Sequence, residues 1–112
     1  MKRVLMFCTV FLLIAIGVFA QNVRTGRYIA GDSRSNLDYS YWIELRSDNT
    51  FVWNIPGGSA SGTWRYDGHT IYLTINTANG EMAIGRGMTI EFRHADGTGT
   101  VLWGDDDAWW LQ

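Results

Sequence analysis

Cysteine is almost missing: the chain of 112 residues holds one, Cys8. One thiol cannot close an internal bridge, so a disulfide scaffold is excluded. Beyond residue 20 there is no cysteine, hence no thiol nucleophile or thiolate metal ligand. Proline is limited to Pro56, which leaves no proline-rich linker. Positive charge is sparse too. Residues 21–112 carry seven Arg, no Lys and 11 acids, a net charge of −4. That balance argues against nucleic acid as a partner. No apolar run after residue 20 is long enough for a membrane-spanning helix. No window carries the 3.6-residue apolar stripe of an amphipathic helix.

What is present begins with a leader. Lys2 and Arg3 precede an uncharged apolar run, and Val18-Phe19-Ala20 puts small or branched residues one and three positions before a cut after Ala20. This is the layout of a secretory signal peptide over residues 1–20. The competing reading is an uncleaved anchor, and residues 4–20 are at the low edge of the length that spans a bilayer. Cys8 lies inside the run, away from the cut, where a lipoprotein acylation site would not be. The expected product is an exported domain over residues 21–112, periplasmic or extracellular, without a stable membrane span. Lacking disulfides, it must stand on its own core.

That domain reads as β-strand throughout. Tyr39, Tyr41, Ile43 and Leu45 alternate with Trp42, Glu44 and Arg46. Phe51, Trp53 and Ile55 follow, then Trp64 and Tyr66, then Ile71, Leu73 and Ile75. Met82 and Ile84, then Met88, Ile90 and Phe92, then Val101 and Trp103 complete the pattern. Antiparallel neighbours must put their apolar sets on one face, which fixes loop parity. An odd loop Ser47-Asp48-Asn49, with Asn49 left-handed, pairs Leu45 with Phe51, Ile43 with Trp53 and Tyr41 with Ile55. A four-residue loop from Pro56 to Ser59 pairs Phe51 with Trp64 and Trp53 with Gly62. A two-residue loop at Asp67-Gly68 pairs Trp64 with Ile71 and Gly62 with Leu73. The even loop His94-Ala95-Asp96-Gly97 pairs Phe92 with Gly99, Ile90 with Val101 and Met88 with Trp103.

Gly85-Arg86-Gly87 reads either as a tight turn or as a bulge in one bent strand. Residues 31–38, 76–81 and 104–107 read as polar loops. A faint repeat relates Ile43-Glu44-Leu45-Arg46 to Ile90-Glu91-Phe92-Arg93, and shared hairpin composition accounts for it. A meander of about eight short strands removes its edges by closing into a barrel.

The order of motifs resembles a known pattern. Gly26-Arg27-Tyr28, Asp48-Asn49-Thr50-Phe51, Ser61-Gly62-Thr63-Trp64, and Asp67-Gly68 before Ile71-Tyr72-Leu73 are similar to small exported bacterial lipocalin-like domains. The resemblance implies an all-β fold, a small antiparallel up-and-down barrel, with a small apolar or amphipathic ligand at its mouth. It covers most of residues 26–75. Tyr28 stands where the family's opening carries Trp, Asn49 where the turn carries Gly, and the terminal Trp109-Trp110-Leu111-Gln112 lacks a closing basic residue. A second, shorter likeness joins Ser59-Ala60-Ser61-Gly62 and Arg65-Tyr66 to a loop of small periplasmic lysozyme inhibitors, without that family's cysteines. It implies inhibition of a cell-wall hydrolase.

Little catalytic chemistry is on offer. No Ser sits in a Gly-x-Ser-x-Gly elbow. His69 and His94 fall at turns, without metal-ligand spacing. Asp105-Asp106-Asp107 lacks the alternating ligands of a calcium loop. Glu44 with Arg46 and Glu91 with Arg93 form surface pairs at i, i+2; a glycosidase-like role for Glu44 and Glu91 needs the two to meet across strands. The sequence therefore predicts a binding protein, not an enzyme, with no cofactor and no metal.

The aromatics are the surplus: six Trp, five Tyr and five Phe. Parity sends Tyr41, Phe51, Trp53, Trp64, Phe92 and Trp103 inward. Of these, Tyr41, Trp53, Trp64 and Trp103 lie toward one mouth and are the candidate ligand contacts. Trp42, Tyr72, Val52 and Leu102 fall outward. Trp42, Tyr72 and Trp110 are the candidate surface for a protein or glycan partner.

Overall fold

The computed structural model describes residues 23–94, 99–104 and 107–112. The signal segment 1–20, turn residues 95–97 and Asp105-Asp106 lie outside the described residues. Eight antiparallel strands run β1 (Gly26–Ser33), β2 (Asn36–Leu45), β3 (Thr50–Ile55), β4 (Gly58–Tyr66), β5 (Thr70–Gly80), β6 (Thr89–His94), β7 (Val101–Trp103) and β8 (Ala108–Leu111). Each pairs with its successor, and β8 returns to β1, so the sheet is a closed up-and-down barrel. One end carries the β1–β2, β3–β4, β5–β6 and β7–β8 connections; the other carries the remaining turns.

The interior is filled with side chains. Tyr28, Ile43, Leu45, Phe51, Ile71, Leu73 and Leu102 are all but inaccessible to solvent. Apolar burial on this scale, about 1.5–3 kcal/mol for each large side chain, substitutes for the missing disulfides. The Tyr28 hydroxyl is satisfied inside the core by donating to the Gly99 carbonyl at 2.8 Å.

Loop parity holds through the first turns, while the details shift. Leu45 faces Phe51 and Ile43 faces Trp53 across a turn in which Asn49 has φ 67°. Asn49 is locked there: its carbonyl accepts the Trp64 N–H at 2.8 Å, and its Nδ2 donates to the Trp64 carbonyl at 3.3 Å. The next turn is tighter than expected. Ile55 faces Gly58 across Pro56-Gly57 alone, so Phe51 faces Gly62 and Trp53 faces Ala60. After that, the two loop residues are Gly68-His69, not Asp67-Gly68, and Trp64 faces Leu73. Asp67 causes the displacement: its carboxylate accepts the main-chain N–H of His69 at 2.9 Å and of Thr70 at 2.7 Å. Gly62 then faces Ile75 beside a bulge, where a Cβ would run into the Thr74 carbonyl.

Two expected loops are strands. Residues 31–38 form the β1–β2 hairpin around Arg34-Ser35, and residues 76–80 extend β5 against Gly58–Ser61. Leu37 and Ala78 are their only apolar side chains larger than Gly, so their ladders leave no hydrophobic alternation to read; Ser59 and Ser61 instead bond Asn79 and Thr77 through side chains. The expected strand at Met82 and Ile84 is a 3-10 turn over Ala83–Gly85, with Ile84 exposed. It links β5 to β6, so the Gly85-Arg86-Gly87 stretch belongs to a connection.

In the β1–β2 hairpin, Ile29 faces Trp42 but Ala30 faces Asp38, so residues 39–41 bulge out of register. Tyr39 and Tyr41 consequently leave the inner face that Ile43 and Leu45 occupy, and both are exposed. The hairpin tip folds back along the wall: Arg34 Nη2 donates to Thr100 Oγ1 at 2.9 Å, and its guanidinium lies 5.2 Å from the Trp110 ring centroid.

The last hairpin is the largest correction. β6 meets β7 through Arg93 facing Trp103 and His94 facing Leu102. The expected Met88–Trp103 register is off by an odd number, so inside and outside exchange. Leu102 is buried in the core and Trp103 is exposed on the outer wall, 6.4 Å from Trp110. Val101-Leu102-Trp103 is apolar at every position, so period-two reasoning cannot choose its face. His94 ends β6 half-buried, with its ring 5.8 Å from that of Tyr66, and is not a solvated turn residue.

Candidate ligand-binding site

Among the described residues, the barrel's shortest join is the one between β6 and β7. β6 has six residues and β7 three. Among the described residues, only Arg93 and His94 of β6 have partners in β7, so Thr89 to Phe92 have none on that side. Beside this stretch lies an open slot of about 210 Å³, lined by Trp53, Ile90, Phe92, Gly104, Asp107 and Trp109, with Glu91 at its rim. Its floor is three rings in mutual edge contact: Trp53–Phe92 at 5.6 Å, Trp53–Trp109 at 5.9 Å and Phe92–Trp109 at 6.2 Å between centroids. Such edge-on stacking is the favoured geometry for aromatic pairs and adds rigidity to the floor.

The indole N–H groups divide sharply. Trp64 donates to the Arg46 carbonyl at 3.0 Å, and Trp110 to the Gly31 carbonyl at 2.8 Å. Trp53 Nε1 is buried and has no acceptor among the described residues. An unmet buried donor costs about 1–3 kcal/mol, so it is not a neutral ornament.

Asp107 also borders a second, more polar cavity of about 420 Å³, lined among others by Asp32, Asn36, Asp38 and Tyr41. Asp107 thus borders both the aromatic slot and an acidic cavity of the β1–β2 hairpin. Among the described residues, no three His, Cys, Asp or Glu side chains converge in a metal-binding group.

The four ligand contacts read from the sequence are not gathered. Trp53 floors the slot and Tyr41 lines the neighbouring cavity. Trp64 sits toward the opposite end of β4, buried and committed to Arg46. Trp103 is outside. Phe92, read as inward but not as a ligand contact, and Trp109, which the sequence left unassigned, complete the floor in their place. Trp109-Trp110-Leu111 is another uninterrupted apolar run, which is why its inward member was not legible.

The outer aromatics are covered by arginines. Arg27 stacks on Trp42 at 3.8 Å and Arg65 on Tyr72 at 3.9 Å, while Arg34 approaches Trp110. Glu44 fixes one of these caps, accepting from Arg27 Nη2 at 3.2 Å and Arg46 Nε at 2.8 Å. The hydrogen bond from Arg46, reinforced by Arg27 and opposed by slight burial, lowers the Glu44 carboxyl below the usual carboxylate range. Glu44 and Glu91 sit on β2 and β6, opposite walls of the ring, so they do not form a carboxylate pair. No ion pair joins Glu91 to Arg93 among the described residues. Ser59-Ala60-Ser61-Gly62 is part of strand β4 and not a loop.

No protein-family model matches the chain, and no curated protein or solved structure matches it either.

Proposed function

We infer that this is an exported binding protein whose small amphipathic ligand docks in the lateral slot between β6 and the β7–β8 turn. The observation that carries the reading is Trp53: it lines the slot and holds a buried N–H with no acceptor. A ligand bringing a carbonyl or hydroxyl oxygen to that N–H, with an apolar body against Phe92 and Trp109, supplies what the protein leaves unmet. The filled core supports a site at the wall instead of the barrel centre. The leader-like residues 1–20 support export, and the lipocalin-like motif order supports a binding role.

Native mass spectrometry of the protein purified gently from its own host tests this. An added mass that is lost on denaturation, and lost from a Trp53→Phe variant, is the expected result. A bare chain, together with no response of tryptophan emission to a panel of small amphiphiles, overturns it.

A further inference from the structure

The large apolar side chains left in water share one end of the barrel. Among the described residues they are Tyr39, Tyr41, Ile84, Met88 and Trp103. Tyr39 and Tyr41 stand in the bulge of the β1–β2 hairpin, Ile84 and Met88 in the β5–β6 connection, and Trp103 ends β7. Ile84 is 90% exposed. Its neighbours explain this: Met82 packs against the core and Gly85 lies close to the Ile75 side chain, so Ile84 between them is turned to solvent. Scattered exposed apolar residues mean little, whereas a set confined to one end marks an interaction surface. The charges at this end are lopsided as well. Asp32, Asp38 and Asp107 border the cavity of about 420 Å³ beside Tyr41, and Glu81 is held at the β3–β4 turn by its N–H, which donates to the Gly57 carbonyl at 2.9 Å. Against these four acids the described residues set two cations, Arg34 and Arg86. Arg34 is committed to Thr100 Oγ1, and Arg86 Nη2 donates to the Ala78 carbonyl at 3.1 Å. Neither forms an ion pair with the four acids. Arg24, Arg27, Arg46, Arg65 and Arg93 lie toward the opposite end, with Glu44, Asp48 and Asp67, while Glu91 sits midway along β6.

We propose that this end of the barrel docks a cationic amphipathic helix. β2 and the β5–β6 connection stand on opposite sides of the ring, so Tyr39 and Tyr41 form one apolar bank and Ile84 and Met88 the other. The apolar stripe of a helix, which is about 10–12 Å across, would rest on the two banks. Lys or Arg residues bordering that stripe would meet Asp32, Asp38, Glu81 and Asp107, and this complementarity selects the partner. The same acids oppose an anionic bilayer, which an apolar rim with basic flanks would suit instead. The surface is separate from the aromatic slot and shares Asp107 with it, so the proposal does not depend on what the slot holds.

Fluorescence anisotropy with a labelled, amidated peptide, Leu-Lys-Lys-Leu-Leu-Lys-Leu written twice, tests the proposal. Its copy with Glu for every Lys runs alongside, as does flotation with phosphatidylcholine–phosphatidylglycerol vesicles. The cationic helix should bind, weaken as salt rises, and exceed its acidic copy by about tenfold or more. Ile84→Ser should lower its affinity about tenfold, the worth of one buried aliphatic side chain, and Tyr39→Ser should act in the same direction. Both side chains are exposed, so an unchanged melting temperature should accompany each loss. Arg65→Ser, at the opposite end, should leave the affinity as it was. Equal binding of the two peptides would overturn the charge selection. Undiminished binding by both the Ile84 and Tyr39 variants would place the helix elsewhere and overturn the surface. Flotation with vesicles but no helix binding would assign the end to lipid and overturn the partner class, and silence from helix and vesicles alike would remove the proposal.

Discussion

The indoles of Trp53 and Trp109 meet at 87°, with ring centroids 5.9 Å apart, although one belongs to β3 and the other to the last strand. The contact crosses the interior and joins the two sides of the slot. Trp109→Ala removes a buried ring that touches both Trp53 and Phe92. It should destabilise the fold by about 3–5 kcal/mol, read as a lower urea midpoint. Trp53→Phe should cost clearly less than Trp109→Phe, because it also deletes a donor that lacks an acceptor. Equal losses would mean that the Trp53 N–H is satisfied in solution.

Tyr28 is the core's one deeply buried phenol. Its hydroxyl donates to the Gly99 carbonyl at 2.8 Å, which ties β1 to the chain just before β7. Tyr28→Phe should lower stability by about 1–2 kcal/mol in urea unfolding, with the strand signature of the circular dichroism spectrum unchanged.

Arg65 and Tyr72 face each other directly across β4 and β5, and the guanidinium lies 3.9 Å from the ring centroid. Arg65→Ala should cost about 0.5–1 kcal/mol of stability. Lys at the same position should restore part of it, and restoration by Leu to the same degree would assign the effect to apolar coverage alone.

Acid should loosen the turns before the core. Main-chain hydrogen bonds from Thr70 and His69, aided by the Tyr72 hydroxyl, hold the Asp67 carboxyl below its ordinary range. The Thr50 hydroxyl and N–H do the same for Asp48. A depressed folded-state value means the stabilisation is complete above the ordinary value, near pH 4, and disappears as pH falls through the lower folded value. Melting temperature should therefore fall below about pH 4. Asp67→Asn should flatten that fall, and an unchanged profile would dismiss the role of Asp67.

How much of this was legible depends on where side chains alternate. Ile43, Leu45, Phe51 and Trp53 sit in strands with polar residues between them, and their pairing followed from parity alone. Asn49 was legible as left-handed because the odd loop demanded it. Trp64 and Gly62 slipped by two positions because parity is blind to an even shift, and the Asp67 side chain, not pattern, set the turn. Trp103 and Leu102 exchanged faces because three apolar residues in a row carry no period. Of the slot, Trp53 and inward Phe92 could be read; Trp109 and Asp107 could not, since they come together only when the chain's end closes on its beginning.

The short β6–β7 seam also sets where the molecule breathes. β4 and β5 share nine residue pairs, whereas the described part of β6 and β7 shares two. A ring unzips at its weakest join, so transient opening concentrates there and leaves the long hairpins intact. In native-state hydrogen–deuterium exchange, the Arg93 and Trp103 amides should exchange through a local event of low free energy, while those of Arg65 and Tyr72 wait for global unfolding. The same event widens the passage above Trp53 and Trp109, so the rate of opening sets an upper bound on how fast anything larger than a single side chain enters.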